Sequence, residues 1–146
     1  MKKIALTMMA TLVMFACTHN TSPDQAEEVT DGVFIHITQG HDDPHRVLMP
    51  LQMALIMAED KDVLIYLDID AVHLVTRDAA DIEYAHFTPM KAALQQLLDM
   101  GVGIYACPGC MKAHGIEEED LMEGIQVAQK DRFFSFTRGR ILTLDY

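Results

Sequence analysis

Basic residues are scarce in this chain. Lysine and arginine number 11 against 22 aspartates and glutamates, a formal net charge of -11. So acidic a balance repels phosphate backbones and anionic headgroups, which excludes nucleic acid and polybasic membrane binding. Cysteine is scarce too, with three residues in 146. Beyond Cys107-x-x-Cys110 there is no second C-x-x-C to complete a zinc site. No apolar run reaches the roughly 20 residues of a comfortable transmembrane helix. A P-loop, a dinucleotide-binding glycine fingerprint and a Ser-His-Asp pattern are all missing, and the sequence points to no cofactor. There is no internal repeat.

What is present begins with an export signature. Met1-Lys2-Lys3 is a basic start, and Ile4 to Ala16 is apolar or small without charge. This order describes a secretory signal over residues 1–16. Met14-Phe15-Ala16-Cys17 resembles a bacterial lipobox, with a small residue before the cysteine, and predicts lipidation of Cys17. The alternative is an ordinary signal cut near Ala16. From Cys17 to Thr30 the chain is polar and reads as a flexible tether. Residues 31–146 then form one domain, long enough to bury one core. The expected location is a periplasm-facing membrane surface, held by several acyl chains, since one chain alone holds weakly.

Strand and helix patterns alternate through the domain. Val33–Thr38 reads as a strand, and Asp43-Pro44 as a helix start. Val47, Leu48, Leu51, Ala54, Leu55 and Ala58 repeat at helical spacing, with Pro50 predicting either a start near Met49 or a kink. Val63–Leu67 has the continuous apolar character of a strand buried on both faces. Ala71–Val75 reads as a weaker extended segment. A helix opening at Thr88-Pro89 buries Met90, Ala93, Leu94, Leu97 and Leu98 and ends at Gly101. Val102–Ala106 is the next strand. Glu117–Glu123 reads as a short helix, Ile125–Ala128 as a short strand, Asp131–Thr137 as helical and Ile141–Leu144 as a final strand. The alternation predicts an α/β fold: one three-layer domain with a mostly parallel sheet flanked by helices. Ligands of such sheets sit at the carboxyl ends of the strands. Three loops meet that condition, at 40–45, 68–70 and 107–110.

The third loop carries the chemistry. Cys107 follows a buried strand and precedes a helical turn, with Pro108 at its first position. Backbone N–H groups at such a start favour the thiolate, the nucleophile for disulfide exchange and for attack on sulfane sulfur. Cys110 lies one turn on, placed to resolve a mixed disulfide. Lys112 and His114 add positive charge nearby. The competing readings are a permanent structural disulfide and a metal clip. The disulfide gains little from closing so short a loop.

Histidines offer a second candidate. His41, Asp42, Asp43 and His45 form a polar cluster whose donors suit zinc, copper or nickel, although Asp43 also suits a helix cap. A non-catalytic metal or small-ligand module between this loop and Cys107 is the rival function. His36 and His73 read as strand residues that pack or lie at an edge. Met49, Met53 and Met57 stripe one helix face and read as core or subunit interface.

The segment Gly101-Val102-Gly103-Ile104-Tyr105-Ala106-Cys107-Pro108-Gly109-Cys110-Met111-Lys112-Ala113-His114-Gly115-Ile116 resembles the cysteine region of the DsrE/DsrF-like family, of DsrE, TusD and YchN type. Glu119–Ile125, Asp43-Pro44-His45-Arg46 and Arg140-Ile141-Leu142-Thr143 are similar as well, so the resemblance spans about Gly32 to Tyr146. It implies a small α/β domain assembled as trimers or hexamers. It also implies a cysteine that accepts sulfur as a persulfide and passes it to a partner. The family's cysteine stands eight residues before a glycine, as Cys107 does before Gly115, so the acceptor role falls on Cys107. Cys110 and the export signal depart from the cytoplasmic sulfur relays, so their partners do not carry over. The expectation is an exported thiol-redox or persulfide carrier with Cys107 as nucleophile and Cys110 as resolving thiol. Its donor and acceptor are an unnamed protein or small molecule.

Overall fold

A computed structural model describes residues 29–146; the expected signal, Cys17 and most of the tether lie outside the described residues. No helix among the described residues is long and apolar enough to cross a membrane. The order is β1 (Gly32–Ile37), α1 (Pro44–Met57), β2 (Asp62–Leu67), α2 (Met90–Asp99), β3 (Gly103–Ala106), α3 (Pro108–His114), β4 (Gln126–Val127), α4 (Lys130–Ser135) and β5 (Ile141–Asp145). All four strand pairings are parallel, and the sheet runs β4-β3-β2-β1-β5. The first four strands are laid down in one direction. The chain then crosses back to place β5 beside β1. Right-handed crossovers put the helices before and after that reversal on opposite faces. The α/β sandwich read from the alternation is therefore the fold.

The two faces differ in character. Val33, Ile35 and Ile37 of β1, Val63, Ile65 and Leu67 of β2, and Ile104 and Ala106 of β3 share one face. They are buried in one cluster with Val47, Leu48, Leu51 and Ala54 of α1 and Met90, Ala93, Leu94 and Leu97 of α2. Each fully buried aliphatic side chain here stabilises by about 1.5–3 kcal/mol. The alternate positions Phe34, His36, Tyr66 and Tyr105 point to the other face, where Phe133 of α4 meets Phe34, Tyr66 and Tyr105 edge-on. That cover is incomplete: Phe134 and Ile141 remain 76% and 48% exposed.

Local departures from expectation have identifiable causes. Helix α1 runs through Pro50 instead of starting at Met49. Asp43 caps it by accepting from the Arg46 amide at 3.2 Å, and Pro44 takes its first turn. Pro50 is buried with Val47, Leu48, Leu51 and Ala54, which offsets the backbone bond it lacks. Ala71–Val75 is not extended; it belongs to a 3-10 helix at Ile69–Val75 that buries Ala71, Val72, Leu74 and Val75. A short apolar run does not distinguish strand from helix. Glu117–Glu123 forms only a 3-10 turn, Glu118–Asp120, closed by reciprocal capping between Glu117 and Asp120. The bridge between Thr76 and Leu121 then straightens the chain.

Candidate functional site

All five strands end on the same side, and the cysteine loop leaves the third of them. The Cys107 amide donates to the Leu67 carbonyl at 2.9 Å, prolonging the β2–β3 ladder by one residue. Cys107 is the N-cap of α3, with Pro108 at the first helical position. Gly115 closes this helix at φ 69, a left-handed conformation that glycine adopts without steric cost. Between these stops the helix has a single turn of consequence. In it the Cys110 amide donates to the Cys107 sulfur at 3.4 Å. Both cysteines are free thiols and half-buried.

The loop after β2 completes the site. Ile69 has φ 50, which a β-branched residue rarely adopts. Such a conformation costs about 1–3 kcal/mol and persists only where its surroundings hold it. Its consequence is directional: the Ile69 amide donates to the Cys110 sulfur at 3.1 Å. Each sulfur thus accepts from a backbone amide.

The two thiols are electrostatically unequal. Burial opposes ionisation of Cys107, but hydrogen bonds from the Tyr66 hydroxyl, the Cys110 amide and thiol and the Gly109 amide outweigh it. They hold the Cys107 thiol below the ordinary cysteine value. Cys110 moves the other way. Burial raises it, the Ile69 amide opposes the rise, and the adjacent Cys107 and Asp68 add to it. Burial first, then the bond to Cys107 and its charge, push the Tyr66 phenol up, so it stays a proton donor. The pair therefore ionises first at Cys107.

Tyr66 is itself clamped. Its ring stacks on His36 with centroids 5.6 Å apart and meets Phe133 edge-on at 5.0 Å. His36 stands between two carboxylates, with Nδ1 at 2.9 Å from Asp145 and Nε2 at 2.9 Å from Asp68. The contact to Asp145 has hydrogen-bond geometry, whereas Nε2 and the Asp68 oxygen are close but misaligned, and both are buried. In the protonated ring both nitrogens donate. A hollow of about 540 Å³, lined by His36, Thr38, Arg46, Asp145 and Tyr146, opens beside this cluster. Another of about 550 Å³, lined in part by Lys61, Gly103 and Arg132, lies by the amino ends of the strands, away from the thiols.

The residues expected around the cysteines divide. Cys107 and Cys110 are together. Lys112 and His114 lie exposed on α3, and His114 packs edge-to-face on His73 with centroids 4.5 Å apart. The largest influences on Cys107 are burial, then Tyr66 and its own loop, not these two cations. In the first loop, His41 Nε2 lies 3.0 Å from the Ala80 carbonyl, Asp43 caps α1, and His45 packs on Tyr84 and Phe87. Among the described residues no three His, Cys, Asp or Glu side chains are grouped to hold a metal ion. Asp68 and Ile69 fall in the expected loop at 68–70, though neither was given a role there; Tyr66 was not among the expected site residues, and His36 was expected only to pack or lie at an edge. Their one signal is position, since each lies at the carboxyl end of β1 or β2.

A family model described as the DsrE/DsrF-like family matches residues 31–137. The chain is 29% identical over 102 residues to the uncharacterized protein MK0008 of Methanopyrus kandleri, covering 69% of this chain and 82% of that one. It is 26% identical over 103 residues to the uncharacterized protein MJ0989 of Methanocaldococcus jannaschii, covering 70% and 88%. Among solved structures, the fold is similar to the ychN protein from E. coli, with TM-score 0.62 and 18% identity over 78% of this chain and 99% of that one. It is also similar to MTH1491 from Methanobacterium thermoautotrophicum, with TM-score 0.55 and 23% identity over 77% and 98%. At such identities the structural likeness speaks for the fold.

Proposed function

We propose that this chain, which belongs to the DsrE/DsrF-like family, performs thiol chemistry on sulfane sulfur, with Cys107 as acceptor and Cys110 as the thiol that resolves the intermediate. The observation that carries this reading is the unequal pair. The Cys107 sulfur faces the Tyr66 hydroxyl and the Cys110 amide, and its thiol is held below the ordinary value, while the Cys110 thiol is held above it. A thiolate is the attacking species in sulfur exchange. Cys107 attacks the sulfane sulfur of a donor, the donor's S–S bond breaks, and the donor leaves as its own thiolate. The product is a Cys107 persulfide. With a disulfide donor the same attack gives a mixed disulfide.

Tyr66 hydrogen-bonds the sulfur that carries the charge and keeps its own proton. The stacked His36 ring and Phe133 fix the direction of that phenol. Intact mass after exposure to a sulfane-sulfur donor tests the reading. The expected result is a modification that Cys107→Ser abolishes. A chain whose mass and thiol count do not change with the donor overturns it.

Two further properties belong to the same reading. We infer export and lipid anchoring at Cys17 from the basic start, the apolar stretch to Ala16 and the cysteine after it. We also infer self-association through the outer surface of α4 and the neighbouring edge strand β5, supported by the exposure of Phe134 and Ile141.

A further inference from the structure

We propose that this protein does not keep the sulfur it accepts: Cys110 displaces the outer sulfur of a Cys107 persulfide, so the domain reduces sulfane sulfur to hydrosulfide and is left as the Cys107–Cys110 disulfide. The inference rests on the acceptor reading above and names the fate of the acceptor's sulfur.

The geometry supplies a resolving thiol already in place. The Cys110 amide is bonded to the Cys107 sulfur, so the two residues share one helical turn. The Cys110 sulfur is held independently by the Ile69 amide at 3.1 Å. That amide is aimed by a backbone conformation unfavourable for isoleucine, which gives the contact a cost elsewhere in the chain. A sulfur that only filled space would need no such donor.

The charge balance also changes at the right moment. While Cys107 is a thiolate, its charge opposes ionisation of Cys110. Persulfide formation moves that charge to the outer sulfur, one bond farther away. The Ile69 amide then favours a Cys110 thiolate with less opposition. Cys110 attacks the inner sulfur, the Cys107 Sγ. A bond forms between the two cysteine sulfurs, and the bond from Cys107 Sγ to the outer sulfur breaks. The electron pair leaves with the outer sulfur, which takes up the proton that the Cys110 thiol gave up and departs as hydrosulfide. Two cysteine sulfurs are each oxidised by one electron, and the sulfane sulfur is reduced by two. Restoring the dithiol takes two electrons from an external dithiol.

Magnitude decides between release and hand-over to a partner. A group tethered by a few residues has an effective concentration of about millimolar or more. A free partner thiol at micromolar concentration is about a thousandfold less concentrated. Internal displacement therefore outruns transfer to any partner that is not docked beforehand.

The test uses the full chain, reduced and anaerobic, with one equivalent of cysteine persulfide. Loading from this donor yields cysteine, not sulfide. The wild-type chain is expected to release about one sulfide per chain, to carry a Cys107–Cys110 disulfide in peptide maps, and to retain no extra sulfur. Cys110→Ser and Cys110→Ala are expected to retain sulfur on Cys107 and to release at least about tenfold less sulfide. A wild-type chain that retains sulfur on Cys107 beside a free Cys110 thiol overturns the proposal. If the folded Cys110 variants take up no sulfur at all, the acceptor reading falls, and this proposal with it.

Discussion

The Ile69 amide lies 3.1 Å from the Cys110 sulfur, and Ile69 reaches that position with φ 50. The contact ties the loop after β2 to the helix after β3, two segments with no sequence proximity. It also places strain beside the thiol pair, where surrounding structure must hold it.

Ile69→Gly tests that strain. Its side chain is 52% exposed, so little packing is lost, and glycine adopts positive φ freely. Relief of strain and the added freedom of the unfolded chain nearly cancel, so urea unfolding is expected to move by less than about 1 kcal/mol. A loss of about 3 kcal/mol or more, the scale of a core cavity, would show that the corner is not strained.

Tyr66→Phe removes a donor to Cys107 while keeping the ring between His36 and Phe133. The sign follows from the charge it faces. A lost donor weakens the thiolate, so the Cys107 pKa rises and the thiolate fraction near neutrality falls. In a Cys110→Ser background, the pH profile of Cys107 alkylation is expected to shift alkaline. One pKa unit corresponds to about a tenfold lower rate below the transition. An unchanged profile would remove Tyr66 from the site.

His36→Leu leaves Asp68 and Asp145 without the ring that separates them. The buried Asp68 oxygen then loses the imidazole 2.9 Å from it, and Asp145 loses its hydrogen bond with Nδ1. A stability loss of about 1–3 kcal/mol by chemical denaturation is expected. A neutral substitution would mean that the imidazole is dispensable to this corner.

How much of this was legible beforehand follows from what each residue depends on. Val63–Leu67 reads as a buried strand because the run is apolar throughout, and the Cys107-x-x-Cys110 pair is visible as spacing. The structure's helix at Ile69–Val75 was unreadable as such, since alternate burial is not imprinted on seven mostly apolar residues. Tyr66 and His36 were hidden for another reason. They meet because β1 and β2 pair in a register that sets His36 beside Tyr66, and Phe133 is brought over them by the final crossover. Register and crossover are tertiary facts. His41, Asp43 and His45 stand close in sequence, yet each finds a different local partner.

Phe134→Asp probes the exposed surface formed by α4 and the edge strand β5. Phe134 is 76% exposed on α4, and Ile141 opens the neighbouring edge strand. If copies of the chain associate there, the wild type is expected to sediment as an oligomer and the variant as smaller species with unchanged circular dichroism. A wild-type monomer at micromolar concentration would contradict self-association.

The central claim is that sulfur arrives on Cys107, and the most direct measurement is the location of the first sulfur bound. Cys110→Ser and Cys107→Ser chains are treated with cysteine persulfide, alkylated and mapped by fragment mass. The account predicts an added sulfur atom on Cys107 in the first chain and none on Cys110 in the second. Sulfur on Cys110 of the Cys107→Ser chain, at a level equal to that on Cys107 of the other, would contradict it.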